Sequence, residues 1–480
     1  MPAEYNGTTG TADEGYSSGV HDLNIFYDTG HMVFLTVSSV LVLLMIPGVG
    51  FFYSGLARRK SALQLVLLSM LSLAVISFQW FFWGYSLTFS RTGNAFLGDL
   101  SQFGLMKTLG EPNGSAYLPD ILFALYQGMF ASITPALAIG AVADRGRMLP
   151  ALVFIFIWST VVYDPIAYWT WNANGWLFKL PSYDFAGGGP VHIASGTCGL
   201  AYSIMLGKRT GYSSNAGLPY RPHSVTNVVI GTTFLWVGWF GFNGGSALGM
   251  NIRAIMACYV TNLAASCAGI TWALLDYRLE KKWSTIGFCS GAISGLVAIT
   301  PASGFVTPWG AVIIGVCGGV CCNFATKLKF LIGVDDALDI FAVHGIGGMV
   351  GNILTGVFGA SYIAGLDGNT YNPIGWIEHN WVQVGHQLAG ICAAFGWSFV
   401  LSCLILFLMN LVPGLSLRVS ADDEDVGIDD CQLGEFAYDY VELTRHVADS
   451  PGQVSDRTLS SSSSTANERA VHEKAVPGTV

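Results

Sequence analysis

The sequence predicts an all-α membrane protein. Its eleven transmembrane helices form two inverted five-helix repeats plus an extra eleventh helix, with the N-terminus outside and the C-terminus inside. Three observations carry this. The 480-residue chain is 52% hydrophobic and only 11% charged, whereas soluble domains carry about 25% charged residues. Apolar runs of bilayer-spanning length recur from His31 to Leu411. One short phrase built around a histidine is written twice, in the fifth run and again in the tenth.

A helix needs about 20 apolar residues to cross the hydrocarbon core. Runs of that kind occupy 31–57, 61–89, 120–142, 149–169, 188–207, 224–244, 252–275, 284–301, 308–325, 339–359 and 381–411. An odd number of crossings puts the termini on opposite sides, and loop charge says which is which. Arg58, Arg59, Lys60, Arg145, Arg147, Lys208, Arg209 and Arg221 follow odd-numbered runs. So do Arg278, Lys281, Lys282, Lys327, Lys329 and Arg418. Only Arg91, Lys107, Lys179 and Arg253 fall on the other side. Basic loops stay cytoplasmic, so the chain begins outside and ends inside. Residues 1–30 show neither a basic start nor an apolar core, so no cleavable signal peptide is visible. Asn6-Gly7-Thr8 and Asn113-Gly114-Ser115 are N-glycosylation sequons on the predicted outer side.

The repeated phrase reads Val191-His192-Ile-Ala-Ser-Gly196-Thr-Cys-Gly199, then Val343-His344-Gly-Ile-Gly-Gly348-Met-Val-Gly351, roughly 150 residues on. An ionisable side chain at membrane depth marks a functional site. A lone buried histidine is usually a satisfied core residue; two in matched phrases are not well described that way. Five spans is an odd number, so a second copy of the unit must lie inverted, as in transporters whose sites sit between repeats. Two neutral imidazoles sharing one N–H between their inner nitrogens would leave an outer nitrogen on each facing a pore, able to accept, donate or relay a proton. Metal binding is the rival use. It lacks a third or fourth ligand at sensible spacing and any His-Glu-x-x-His, so neither metal nor cofactor is expected. The 59 glycines suit close helix contacts. Nine of the ten cysteines, Cys198 to Cys403, lie in or beside the runs and read as small packing residues. The net charge of -9 comes largely from loops and the acidic tail. Within that tail, Arg457-Thr-Leu-Ser460 has the basic-then-serine spacing that kinases accept, with an unmodified solvated tail as the plain alternative.

Several motifs are specific enough to carry a resemblance. They are Ile46-Pro47-Gly48 with Phe52-Tyr53-Ser54-Gly55-Leu56, Gln127-Gly128-Met129-Phe130-Ala131, and Asp184-Phe185-Ala186-Gly187-Gly188 running into His192. Trp239-Phe240-Gly241-Phe242-Asn243 with Ser246, Asp335-Asp336-Ala-Leu-Asp339 before His344, and Gly434-Glu435 complete the set. Over roughly residues 25–440 the chain resembles the ammonium transporter/methylammonium permease/Rhesus family. Tyr163-Asp164-Pro165, Trp169-Thr-Trp171 and the Ser-rich extension look most like a fungal high-affinity ammonium permease. Low-affinity fungal paralogues tend to carry Glu where this chain has His192.

The resemblance implies a transporter rather than an enzyme. Residues 1–30 would be an extracellular segment, and 31–412 the eleven-helix transporter domain, with repeats at about 31–210 and 222–360 and the eleventh helix at 381–411. A cytoplasmic regulatory tail, 413–445, would dock on it, and 446–480 would be a Ser-rich disordered tail. Ammonium, with methylammonium as its analogue, would be recruited outside at Trp171, Phe130 and Ser246. Trp is the strongest ring for a cation, although Trp176 lies close in sequence and an interfacial belt is the common use of Trp. Phe130 and Phe242 would form a pore gate, and His192 and His344 the pore's twin histidines. Asp184 would support the cation site, capping a helix being its plainer role, with Asp339 as its partner in the second half. A bare cation loses its hydration among apolar rings, at several kcal/mol or more, so passage as ammonia is the favoured expectation. The resemblance further implies a homotrimer in the plasma membrane, the lipid bilayer and a tail kinase as partners, and no nucleic acid. An electroneutral gas channel of the Rhesus type and an ammonium sensor are the competing readings; a membrane metalloenzyme is a third.

Overall fold

The structure is a computed structural model that describes residues 23–109, 111–212 and 221–438. Asn6 and Ser460, with the Ser-rich stretch around the latter, lie outside the described residues. The chain divides into two units, Met1–Tyr438 and Asp439–Val480, and every described residue belongs to the first.

Among the described residues the chain is helical, without β-strands. Nine helices are long and apolar enough to cross a membrane: Thr29–Leu56, Arg59–Phe89, Asp120–Val142, Met148–Lys179, Val225–Gly245, Ile252–Glu280, Pro308–Ile332, Phe341–Phe358 and Gln383–Asn410. Within the fourth range the helix breaks at Asn172, close to the expected end at 169, and Trp176–Lys179 forms a separate short turn. Two of the eleven expected runs are not among these nine. The 284–301 run folds as Thr285–Ile299, 15 residues long. The 188–207 run folds as a π-turn, Gly188–Ile193, continuing into the α-helix Ala194–Leu206. Thr285–Ile299 is apolar but short; Gly188–Leu206 is almost wholly buried in protein, so Gly, Ser and Thr stand where lipid contact would demand aliphatic residues.

Local sequence explains the helix starts. Asp28, Ser224, Asn251, Ser284 and Thr307 each accept a backbone N–H from the first turn of the helix that follows. Such caps satisfy donors that have no intrahelical partner. Pro308 follows its cap directly, where its missing N–H is harmless. Asn113 has its amide nitrogen engaged, donating to the Tyr85 hydroxyl at 3.0 Å and the Phe89 carbonyl at 3.1 Å. Sugar attachment there would replace one of the two N–H donors, so at least one of these bonds would be lost. All ten cysteines are free thiols.

Close helix contacts organise the core. A Cβ on Gly231 would sit 2.3 Å from the Phe52 backbone nitrogen, so the 225–245 and 29–56 helices cross almost backbone to backbone. The repeated phrase has the same logic. A Cβ on Gly196, four residues after His192, would lie 2.2 Å from the Gly345 nitrogen; one on Gly348, four after His344, would lie 2.8 Å from the Gly188 oxygen. Each phrase therefore keeps a glycine where the other's histidine turn passes.

After the last long helix the chain folds back on the bundle. Glu424 is fully buried and accepts from the Thr210 N–H at 2.7 Å while pairing with Arg418 at 2.7 Å. Asp429 accepts from the N–H groups of Leu63 and Gln64 at 2.9 and 2.8 Å, capping the start of the second long helix from outside its own segment.

Candidate functional site

Both histidines sit in π-turns. His192 lies in Gly188–Ile193 and His344 in Phe341–Ile346. Such single-turn widenings recur at functional sites. Here they turn the two rings toward each other: the Nδ1 atoms are 3.3 Å apart and the rings stack at 5.4 Å with 24° between their planes. One of the two inner nitrogens must carry the proton for this to be a hydrogen bond. Both residues are buried.

A file of rings leads away from this pair. His192 stacks on Phe242 at 5.9 Å and on Trp239 at 5.4 Å. Phe242 stacks on Phe130 at 4.2 Å, and Phe130 meets Trp171 edge-on at 6.0 Å. Beyond the Phe130–Phe242 stack lies a cavity of about 460 Å³ whose lining includes Trp171, Phe130, Ser246, Gln127 and Asp184. On the opposite side a cavity of about 320 Å³ is lined by His344, Trp239, Tyr53, Lys329 and Asp339. Phe242 and His192 line neither cavity.

The three expected recruitment residues thus share one cavity. Trp171 is oriented by its indole N–H, which donates to the Asp184 carbonyl at 3.1 Å. Trp176 packs on Trp169 at 5.9 Å and does not line this cavity. The Ser246 hydroxyl donates to the Phe242 carbonyl at 2.9 Å, which leaves its oxygen as an acceptor. Tyr126 was not singled out in the sequence. Its hydroxyl lies 2.8 Å from the Phe242 carbonyl and 3.3 Å from Ser246 Oγ, tying the ring stack to the serine.

Asp184 caps the first π-turn. Its carboxylate accepts from Gly187 and Gly188 at 2.8 Å each and from Gly189 at 2.6 Å. In the second stretch it is Asp336, and not the nearer Asp339, that makes the matching contact. Asp336 stands eight residues before His344, as Asp184 stands eight before His192. It accepts from the N–H of Phe341, five residues on, as Asp184 does from Gly189. Asp339 instead pairs with Lys329 at 2.8 Å and lines the 320 Å³ cavity. The matched eight-residue offset was visible in the sequence; the adjacent Asp335 and the nearer Asp339 hid it. Among the described residues, no group of three or more His, Cys, Asp or Glu could hold a metal ion.

Comparison with known proteins bears on what this arrangement serves. The model of the Ammonium Transporter Family matches residues 33–438. Ammonium transporter 1 of Schizosaccharomyces pombe is 56% identical over 462 residues, which is 96% of this chain and 92% of that protein. A crystal structure of Saccharomyces cerevisiae Mep2 superposes with a TM-score of 0.81 at 52% identity, covering 87% of this chain and 93% of that one. A solved structure named Sensor Amt Protein is similar at TM-score 0.77 and 27% identity, covering 84% of this chain and 98% of that one. With a family model spanning most of its length and a relative this close, this chain belongs to the ammonium transporter family.

Proposed function

We propose that this chain takes up ammonium across the plasma membrane by deprotonating it at an outer aromatic site and conducting ammonia past paired histidines. The observation that carries this reading is the 3.3 Å contact between the Nδ1 atoms of His192 and His344, between an outer and an inner cavity. Ammonium would rest against Trp171 and Phe130 with an N–H donated to Ser246. Asp184 would supply negative potential beneath it. Phe130 and Phe242 would act as the gate, and their rings oppose a charged species far more than a neutral one. Ammonia can give and take hydrogen bonds along two neutral imidazoles. The proton would follow separately, which makes net transport electrogenic.

For the fold we propose eleven crossings, the nine long helices plus Gly188–Leu206 and Thr285–Ile299, with the N-terminus outside and the C-terminus inside. Two inverted repeats, about 31–210 and 222–360, would be followed by an eleventh helix at 381–411. What supports the repeat is the crosswise packing: the first helix of one half on the first of the other, and the fifth segment on the tenth. Residues 413–445 would be a docked regulatory tail and 446–480 a Ser-rich extension carrying a phosphorylation site at Ser460. A homotrimer and glycosylation at Asn6 complete the proposal.

The test is ammonium-evoked current in wild type, His192→Ala and His344→Ala. Wild type should carry current, and both variants should lose it. Uptake without current in wild type would leave the neutral gas channel instead. The likeness to the Sensor Amt Protein favours a second reading, sensing alongside or in place of transport. Growth of a transporter-deficient cell on low ammonium separates the two. For the tail, uptake should rise in Ser460→Asp relative to Ser460→Ala; equal rates count against that control.

A further inference from the structure

Arg253 holds an unusual position. It is the second residue of the Ile252–Glu280 helix, whose cap is Asn251, and a cation in the first turn opposes the helix dipole. It is nevertheless buried, only 7% exposed. What holds it is a set of partners on Nε and Nη1. Its Nε donates to the Gly304 carbonyl at 2.8 Å, and Nη1 donates to Asp367 at 2.8 Å and to the Tyr371 hydroxyl at 3.0 Å. Three ring faces surround the guanidinium: Phe185 and Phe305 at 4.8 Å each, and Tyr371 at 5.1 Å. Burial raises the Asp367 carboxyl, but the Tyr371 hydroxyl, the Asn369 N–H and the Arg253 charge outweigh it and hold the group below its ordinary range. The pair therefore stays ionised.

Three aromatic faces beside a carboxylate are the chemistry that recognises an organic ammonium ion. Arg253, Phe185, Phe305 and Tyr371 line the same 460 Å³ cavity as Trp171, Phe130 and Ser246. One wall of the outer cavity is thus a cation cage already filled by a tethered cation. Arginine does not deprotonate, so no change of pH empties it.

We propose that Arg253 is a specificity-determining residue, a built-in occupant that denies quaternary ammonium ions a seat in the vestibule and leaves the Trp171–Phe130 face to a small cation. The inference rests on the reading of this cavity as the entry for ammonium. Arg253→Gln would open the cage with the Asp367 carboxylate still in place.

The experiment measures methylammonium uptake against increasing tetramethylammonium in wild type, Arg253→Gln and Arg253→Gln/Asp367→Asn. The half-inhibitory concentration should fall by about tenfold in Arg253→Gln and return toward wild type in the double variant. Equal sensitivity in wild type and Arg253→Gln overturns the proposal. Calorimetric titration of tetramethylammonium into the purified proteins separates the two readings. Binding to Arg253→Gln without inhibition upholds the cage and overturns the entry reading; no binding overturns the cage. Should Arg253→Gln not reach the membrane, Asp367→Asn keeps the cage filled while removing its counter-charge. It should raise the KM for methylammonium about threefold at unchanged maximal rate, and an unchanged KM overturns the proposal.

Discussion

Asp184 and Asp336 stand in the same relation to two facing histidines. Each precedes its histidine by eight residues and accepts a backbone N–H from the residue five positions on. The charged residue nearer to His344, Asp339, is turned away to Lys329. Two acids in one short stretch therefore do different things, and they can be told apart. Asp336→Ala orphans a donor at the start of a π-turn and is expected to lower stability by about 1–2 kcal/mol. Asp339→Asn removes only a partly exposed ion pair, expected to matter by less than about 1 kcal/mol. Thermal unfolding of the purified proteins, followed by tryptophan fluorescence, checks this. A larger loss at Asp339 would return the repeat partner to that position.

The crossed glycines predict an asymmetric tolerance to methyl groups. Gly196→Ala meets backbone atoms of Gly345 at 2.2 and 2.6 Å, and no side-chain rotation relieves that. The two histidine turns must move apart, with a loss of about 1–3 kcal/mol or more and of uptake. Gly396→Ala, with nothing within 4 Å, sets the baseline and should leave both unchanged. Uptake retained in Gly196→Ala would mean that the histidine spacing is not critical.

The stacked rings of Phe130 and Phe242, 4.2 Å apart, are expected to exclude cations through the loss of hydration that passage would impose. Replacing both by alanine should admit potassium, seen as a potassium current absent from wild type. A double variant that still excludes potassium would move the barrier elsewhere, to the histidines or to Trp239.

The returning C-terminal segment hangs on Glu424. Its carboxylate is fully buried, with Arg418 and the Thr210 N–H at 2.7 Å and Arg58 at 3.9 Å. Glu424→Gln strips the charge from this cluster and should favour local opening by about 1–3 kcal/mol. Cys431, a partly buried thiol in the same segment, reports it: alkylation followed by mass spectrometry should be about 5- to 150-fold faster. Identical rates would show that other contacts hold the segment.

How much was legible from the sequence follows from what each kind of residue answers to. Bilayer thickness and water exclusion act on every residue of a long helix, so the nine long helices could be read from composition and run length. The other two expected runs fall outside the nine for different reasons: 188–207 is shielded by protein and need not be apolar, and 284–301 is apolar but forms a helix of only 15 residues. His192 and His344 stand in matched phrases, and family motifs pointed to Trp171, Phe130, Ser246 and Phe242. These are local signals, and each survives translation along the chain.

Other features depend on which atoms meet across more than a hundred residues. The 3.3 Å approach of the histidines, the place of Trp171 rather than Trp176 on the 460 Å³ cavity, and the bond from the Phe341 N–H to Asp336 all follow from packing. So does the caging of Arg253 by Phe185, Phe305, Tyr371 and Asp367. In sequence, Arg253 was only one of four basic residues on the predicted outer side. Hydropathy is summed over a segment and is blind to neighbours from other segments; a hydrogen bond or a ring contact is set by a few ångströms between two particular groups. The sequence by itself therefore determined that this chain is a helical membrane protein of a transporter family, with two histidines at its centre. Only the tertiary structure decided which residues face one another, because that is a property of the closed bundle and not of any one helix.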